Sequence, residues 1–249
     1  MKQVKIFGHG EIGQSLHEVY ERAGWFGIAW RDLDTGSGPD KCDILNVCIP
    51  FSDQFVSIVA REIWWSDARI VIIHSTVAPG TTKEIIDLVK DKDVLIVHSP
   101  VIGVHPNLAE GIQTFTKWIG CETNANAELV REHFNQIGIP NTRKVTPAIS
   151  TEIAKLMDTT YYGACLAVNA EATEWLNSQG TRSSFWVEYL MEYNRGYQTL
   201  GMGNIVRPYF PALNMPIGGH CVGNNARILK QVHDFPALDQ IIKYLPNEN

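Results

Sequence analysis

Long apolar runs are missing from this sequence of 249 residues. Stretches such as Ile70–Ile73 end far short of the ~20 residues that cross a bilayer, so no membrane span is expected. A basic surplus is missing too: 21 Lys and Arg stand against 27 Asp and Glu, a formal net charge of −6, which argues against nucleic acid as a partner. Cysteine is scarce. The five present (Cys42, Cys48, Cys121, Cys165 and Cys221) are an odd number without metal-ligand spacing, so neither a disulfide framework nor a metal site is expected. Cys48 and Cys165 lie in apolar runs and read as small buried hydrophobes. Met1-Lys2-Gln3 runs straight into a strand pattern, which leaves no room for a signal peptide in this reading. A reducing cytoplasm is the expected setting. Internal repeats and low-complexity tracts are absent as well.

What is present is a rhythm of short apolar runs alternating with helical patterns. The runs Val4–Phe7, Phe26–Trp30, Ile44–Ile49, Ile70–Ile73, Val94–Val97 and Trp118–Ile119 read as strands. Between them, Glu11–Ala23, Phe55–Trp65 (after a Ser52-Asp53 start signal) and Lys83–Val89 (capped by Thr81 or Thr82) read as helices. Continuous runs of this kind indicate a parallel sheet covered on both faces. Beyond Pro147 the texture changes. One helical pattern extends from Ser150 to Leu176 without proline and with only Gly163 inside it; Ser150 or Thr151 serves as N-cap and Glu152 lies in the first turn. Phe185–Leu200, Ala226–Val232 and Phe235–Tyr244 also read as helices. The expected architecture is an α/β domain over residues 1–147 and an all-helical domain over 148–249.

Gly8-His9-Gly10-Glu11-Ile12-Gly13 is a G-x-G-x-x-G element that leaves a strand and opens a helix, the context in which it marks a Rossmann dinucleotide site. Gly8 permits the tight turn, Gly10 a close approach of pyrophosphate, and Gly13 helix–strand packing, while Glu11 and Ile12 open the helix whose N-terminus faces the phosphates. At the end of the second strand, Arg31 falls where an acid usually bonds the adenosine ribose, and Asp32 follows it. NAD and NADP both remain open. Arg31, with Thr35 and Ser37 as further phosphate contacts, tips the reading toward NADP. Pro50, Ser75 and Thr76, which follow later strands, complete the expected cofactor residues.

Three further segments resemble the UDP-glucose/GDP-mannose dehydrogenase family, in particular its UDP-N-acetylmannosaminuronate branch. Ser75-Thr76-Val77-Ala78-Pro79-Gly80-Thr81-Thr82 is similar to its S-T-V-x-P-G-T-T. Glu152-Ile153-Ala154-Lys155-Leu156, continuing to Thr160-Tyr161 and Asn169-Ala170-Glu171, is similar to E-[LI]-[AV]-K-L and its central helix. Arg207-Pro208-Tyr209 and Gly218-Gly219-His220-Cys221 are similar to the stretch around the family's nucleophile. The resemblance implies a Rossmann domain followed by a helical domain of the 6-phosphogluconate-dehydrogenase-like type, and an NAD(P)-dependent dehydrogenase acting on an alcohol. It implies Cys221 as the thiolate that forms a thiohemiacetal and Lys155 as the cation on the developing alkoxide. A helix beginning near Asn224 would favour the thiolate through its N-terminus.

The sequence also departs from the family. Val101 stands where a glutamate is expected, Thr159 replaces an asparagine, and Gly223-Asn224-Asn225-Ala226 replaces x-x-D-P. These 249 residues carry no segment similar to the family's C-terminal nucleotide-sugar-binding domain, and a shortened, diverged relative is the expectation. Two alternatives therefore stay open beside the cysteine mechanism. One is a two-electron hydroxy-acid or prephenate-type dehydrogenase, which His98-Ser99-Pro100 distantly resembles; the other is a non-catalytic dinucleotide-binding protein. His74, His98 and His105 follow strands and offer themselves as general bases, with strand-end hydrogen bonding as the plainer role. Trp64, Trp65 and the set Phe185, Trp186, Tyr189 and Tyr193 have helical spacing and read as core or subunit interface. Leu156, Tyr161, Leu166 and Val168 spread over more than one face of the long helix, which predicts a homodimer packed through it.

Overall fold

The computed structural model describes residues 1–32, 35–103, 106–123, 127–211, 216–218 and 220–246, with only the backbone of His220. It divides into two compact units, Met1–Lys155 and Leu156–Asn249. In the first unit, β1 (Gln3–Phe7), β2 (Gly27–Asp32), β3 (Thr35–Ser37), β4 (Ile44–Val47), β5 (Ile70–Ile73), β6 (Leu95–His98), β7 (Lys117–Gly120) and β8 (Thr142–Val145) form one sheet. Their order is β3-β2-β1-β4-β5-β6-β7-β8. Pairing is parallel except at β2–β3 and β6–β7. The register Val4↔Ile44, Ile44↔Ile70 and Ile70↔Leu95 brings the ends of β1, β4, β5 and β6 to one edge. Strand order reverses between β1 and β4, the switch point where open α/β sheets bind ligands.

Alternate strand residues serve opposite faces. Ile6, Ile44, Ile72 and Val97 join Leu16, Val19 and Tyr20 of α1 (Glu11–Ala23) and Val130 and Phe134 of α5 (Ala127–Gln136) in one core. Leu45, Val47, Val71, Ile73 and Ile96 join Phe55, Val59 and Ile63 of α2 (Phe55–Ser66) and Ile85 of α3 (Thr81–Leu88) in the other. Two layers of helix around a mostly parallel sheet require this two-sided burial, and it explains why the strands read as continuous apolar runs.

Several boundaries differ from the sequence reading, and the differences are instructive. Thr81 and Thr82 lie inside the first turn of α3, with Gly80 at the cap position in a left-handed conformation (φ 97°). Ser52-Asp53 supplies no side-chain cap to α2; Gln54 holds that position, and Ser52 contributes only its carbonyl to Phe55 N–H. The long helix α6 runs Ile149–Ser178, so Ser150 and Thr151 are first-turn residues. The short edge strands β3 and β8, α4 (Leu108–Thr114) and α5 escaped the pattern reading.

The second unit holds the remainder of α6 with α7 (Ser184–Thr199), a 3₁₀ turn (Gly203–Ile205), α8 (His220–Val232) and α9 (Pro236–Lys243). Its core gathers Leu156 and Leu166 of α6, Val222, Ala226 and Leu229 of α8, and Leu238 and Ile241 of α9. A β-carbon at Gly163 would lie 2.8 Å from Val222 Cγ1, so the one glycine inside α6 lets α8 approach. Leu156 and Leu166 belong to this core and not to a free helix face. Trp64, Trp65, Phe185 and Tyr189 are exposed, contrary to a core role. Among the described residues no helix is long and apolar enough to cross a membrane.

Candidate functional site

The glycine turn is built as its motif requires. Gly8 has φ 97°, and a β-carbon there would lie 2.6 Å from the Cys48 carbonyl carbon. At Gly13 it would lie 2.0 Å from the Gly8 carbonyl oxygen, so only glycine lets α1 pack this closely on β1. Gly10 is different: among the described residues a β-carbon would meet nothing within 4 Å. Gly10 is also the N-cap of α1, and no side-chain hydrogen bond caps that helix. Open space above an uncapped helix start suits an anion that approaches the backbone, and the turn fits a dinucleotide pyrophosphate on these grounds.

Asp32 and Arg31, adjacent at the end of β2, have different surroundings. The Asp32 carboxylate accepts a hydrogen bond from His9 N–H (3.1 Å), inside the glycine turn. Arg31 Nη1 lies 3.8 Å from Glu62 Oε2, and its guanidinium sits over the Trp65 ring at 5.6 Å. Glu62 is buried and also pairs with Lys5 Nζ at 2.8 Å. A cleft of about 450 Å³ lies beside this cluster, lined in part by Arg31, Thr35, Ser37, Lys5 and Asp40. At the ends of β4 and β5, Ser75 Oγ donates to Ile49 O (2.6 Å), beside exposed Pro50, and Thr76 follows half-buried.

Glu152 ties the loop after β5 to α6. Its buried carboxylate accepts from Gly80 N–H (2.6 Å), Thr82 N–H (2.8 Å) and Thr82 Oγ1 (2.6 Å). Thus α3 is capped by an acid 70 residues away in sequence, where its helix dipole favours negative charge. Lys155 follows one turn later, half-buried, and its charge reaches both His98 and Lys117.

The histidines are internal struts. His98 is fully buried, with Nδ1 at 2.7 Å from Thr151 Oγ1 and Nε2 at 3.1 Å from Ser75 O; burial pushes its pKa down to about 3. His74 is equally buried between Asn46 Oδ1 (3.0 Å) and Lys117 Nζ (3.2 Å), and burial, then the Lys117 charge, holds it well below the usual histidine range. Neither ring has a nitrogen left for a substrate. His105 lies outside the described residues.

Lys117 was not legible as a site residue. Its ammonium is buried and touches Ser99 O (2.7 Å), Pro100 O (3.0 Å) and His74 Nδ1. Burial, with the Lys155 charge, lowers its pKa to about 7.

In the second unit, Cys221 is exposed in the first turn of α8, which begins at His220 and not near Asn224. Gly219, part of the same motif, lies outside the described residues. Two departures from the family pattern meet here: Asn225 Nδ2 donates to Thr159 Oγ1 at 3.0 Å, both residues buried. The third, Val101, is buried in the sheet core. Among the described residues no group of three potential ligands could hold a metal.

No family model matches the chain. It is 23% identical over 205 residues to the UDP-N-acetyl-D-mannosamine dehydrogenase of Methanocaldococcus jannaschii, covering 77% of this chain and 45% of that protein. The enzyme of the same name from Methanococcus vannielii is 22% identical over 234 residues, with 85% and 48% covered. Among solved structures, a UDP-D-ManNAc dehydrogenase from Pyrococcus horikoshii superposes with TM-score 0.75 at 15% identity, over 97% of this chain and 68% of that one. The 3-hydroxyisobutyrate dehydrogenase of Mycobacterium tuberculosis gives TM-score 0.71 at 15% identity, over 98% of this chain and 92% of that one. The chain is thus similar in sequence to UDP-N-acetyl-D-mannosamine dehydrogenases, spanning about half the length of these curated relatives, and in fold to dehydrogenases that join a Rossmann domain to a helical one.

Proposed function

We propose that the chain binds NAD and oxidises an alcohol group on a small-molecule substrate by a two-electron step, with Lys155 as the cation that stabilises the developing alkoxide. The open approach over Gly10 at the uncapped start of α1 carries this reading. When bound, the nicotinamide supplies the hydride acceptor. The chain's own residues do the rest: Gly8, Gly10, Gly13 and the first N–H groups of α1, at Glu11 and Ile12, hold the pyrophosphate, and Asp32 takes the ribose hydroxyls. Pro50, Ser75 and Thr76, at the ends of β4 and β5, border the same cofactor.

Although Arg31 stands in the counted acid position, Asp32 is the side chain bonded to the glycine turn, while Arg31 stacks on Trp65 and shares the Glu62 carboxylate with Lys5. This favours NAD over NADP. Calorimetric titration should show NAD binding at least tenfold tighter, about 1.4 kcal/mol. Equal or tighter NADP binding would return the 2′-phosphate to Arg31, Thr35 and Ser37.

Two electrons are favoured over four because the positions that resemble the family's carboxylates hold Val101 and Asn225, neither of which can activate water as a base. Nucleotide sugars and small hydroxy acids, the classes suggested by the relatives' names, are the substrates to assay. One NADH per alcohol consumed is the expected stoichiometry. The exposure of Cys221 favours a second reading, a thiohemiacetal and four-electron oxidation, which predicts two NADH per alcohol and loss of acid product in Cys221→Ser.

The chain is also proposed to form a homodimer through α6. Met157, Tyr161, Val168 and Trp175 are 39%, 66%, 50% and 70% exposed and follow a four- and seven-residue rhythm along one side of that helix. A monomeric mass by light scattering at micromolar concentration would refute this. Five unpaired cysteines accord with a reducing compartment such as the cytoplasm.

A further inference from the structure

The face of the sheet beneath α1 and α5 contains a polar chain that the proposed reaction does not use. Lys117 Nζ lies 3.2 Å from His74 Nδ1, and His74 Nε2 lies 3.0 Å from Asn46 Oδ1. Asn46 Nδ2 is 3.0 Å from Tyr20 Oη, which lies 2.7 Å from His133 Nε2. All five residues are buried. Burying a lysine in this way is costly unless its donors are fully used, and here they are: two go to the Ser99 and Pro100 carbonyls just after β6 and the third to His74.

The donor–acceptor logic of this chain admits two directions. With Lys117 as ammonium, donation runs from Lys117 to His74, from His74 Nε2–H to Asn46 Oδ1, from Asn46 Nδ2–H to Tyr20 and from Tyr20 O–H to His133 Nε2. His133 then carries its proton on Nδ1, a buried atom without a partner among the described residues. With Lys117 as neutral amine, its two N–H groups still satisfy Ser99 O and Pro100 O while its lone pair accepts from His74 Nδ1–H. Every later bond reverses: the Asn46 amide turns over, its oxygen takes the position now 3.0 Å from Tyr20 Oη and accepts from that hydroxyl, and His133 Nε2–H donates to Tyr20. The net change is one proton released from Lys117 to solvent; the His74 and His133 protons each change ring nitrogen by exchange, no bond between heavy atoms changes, and no buried N–H is stranded at His133.

We propose that Lys117 is a positioning residue that fixes the backbone after β6, and that His74, Asn46, Tyr20 and His133 form a reversible hydrogen-bond relay that lets it do so with or without its proton. That the segment it fixes belongs to a substrate site rests on the dehydrogenase reading; the relay does not. The other charged or titratable groups facing Lys117 and His74 are Lys155 from α6, Cys48 after β4 and His98 of β6, and Lys2 acts on His133.

Ring ¹⁵N spectra of the full chain between pH 6 and 8.5 test this. The His74 proton should move from Nε2 to Nδ1, and that of His133 from Nδ1 to Nε2, with one shared midpoint near pH 7. Neither should move in Lys117→Met. If Lys117→Met does not fold, Tyr20→Phe serves instead: His133 should stop responding while His74 continues to switch. In hydrogen exchange, peptides covering 99–103 should be unaffected by pH in the wild type after correction for intrinsic rates, and at least tenfold faster in Lys117→Met, with β1 and β5 unchanged. A His74 tautomer that is constant across the range overturns the relay, and unchanged or uniformly lost protection in Lys117→Met overturns the positioning role. NADH titrated into the same wild-type sample separates the two readings, since failure to bind removes the dehydrogenase assignment and leaves the tautomer result standing.

Discussion

Replacing Glu152 with alanine removes a single acceptor group on which two backbone N–H groups and one hydroxyl converge. Each donor bonded to a charged partner contributes about 1.5–3 kcal/mol, and leaving it unsatisfied in a buried site costs about 1–3 kcal/mol. Water entering the space vacated by the side chain would recover part of this at Gly80, whose surroundings are only half-buried. Allowing for that recovery, Glu152→Ala should destabilise the first unit by about 4 kcal/mol, near the upper end for a single substitution. For a unit of this size the loss corresponds to a fall in Tm of about 10 °C. Glu152→Gln provides the internal control. Its remaining oxygen can still serve Thr82, but its amide sets a donor against a donor at Gly80 N–H, so about half the loss is expected. Urea unfolding followed by tryptophan fluorescence, with hydrogen exchange at Gly80–Thr82 as the local readout, measures both variants. An alanine variant within 1 kcal/mol of wild type, or a glutamine variant worse than alanine, would refute the cap.

Alkylation should discriminate among the cysteines: Cys221 is exposed, whereas burial pushes the Cys42 thiol up to about 12 and that of Cys48 higher still. Peptide mapping after limited iodoacetamide treatment should find Cys221 modified first, and equal labelling of Cys48 would contradict this order. Acid should destabilise the first unit steeply, because His74, His98 and His133 all have folded pKa values depressed by burial, the last two to about 3 and about 4. Between pH 6.5 and about 4 the unfolded chain takes up these protons and the folded chain does not, so stability falls as pH falls. At about 1.4 kcal/mol per pH unit for each histidine, the slope approaches 4 kcal/mol per unit below pH 6. His133→Phe should remove about a third of it, and an unchanged slope in that variant would exclude His133 as a contributor.

Much of the first unit was legible because its physics is local. Glu11–Ala23 and Ile70–Ile73 matched to the residue, since a glycine or a polar turn closes each run. The glycine turn was legible for the same reason: steric demands at Gly8 and Gly13 act on immediate neighbours. β8, Thr142-Arg143-Lys144-Val145, was missed because an edge strand exposes its charged residues and shows no apolar run. The start of α8 was misplaced because Gly218 and Gly219 read as loop, although the helix opens at the very next residue. Glu152 showed its motif but not its task, because its partners lie some 70 residues earlier. Lys117 gave no signal at all; a lysine opening the run Lys117-Trp118-Ile119 looks like a solvated strand end, and only the fold reveals it beneath the Ser99 and Pro100 carbonyls.

The contact between Thr159 and Asn225 couples substitution at the two positions. Residues of α6 and α8 meet in one small core, and the Asn225 amide donates to the Thr159 hydroxyl. Asn225→Asp alone would place a charge in a site only 6% exposed, against a hydroxyl and not a cation. Thr159→Asn alone would set two amides face to face in a space shaped for a shorter side chain. Each single substitution lowers stability, so the pair can be exchanged only by passing through a weakened intermediate or by changing both residues together. The two positions are therefore coupled, and a double substitution should cost less than the sum of the two single ones.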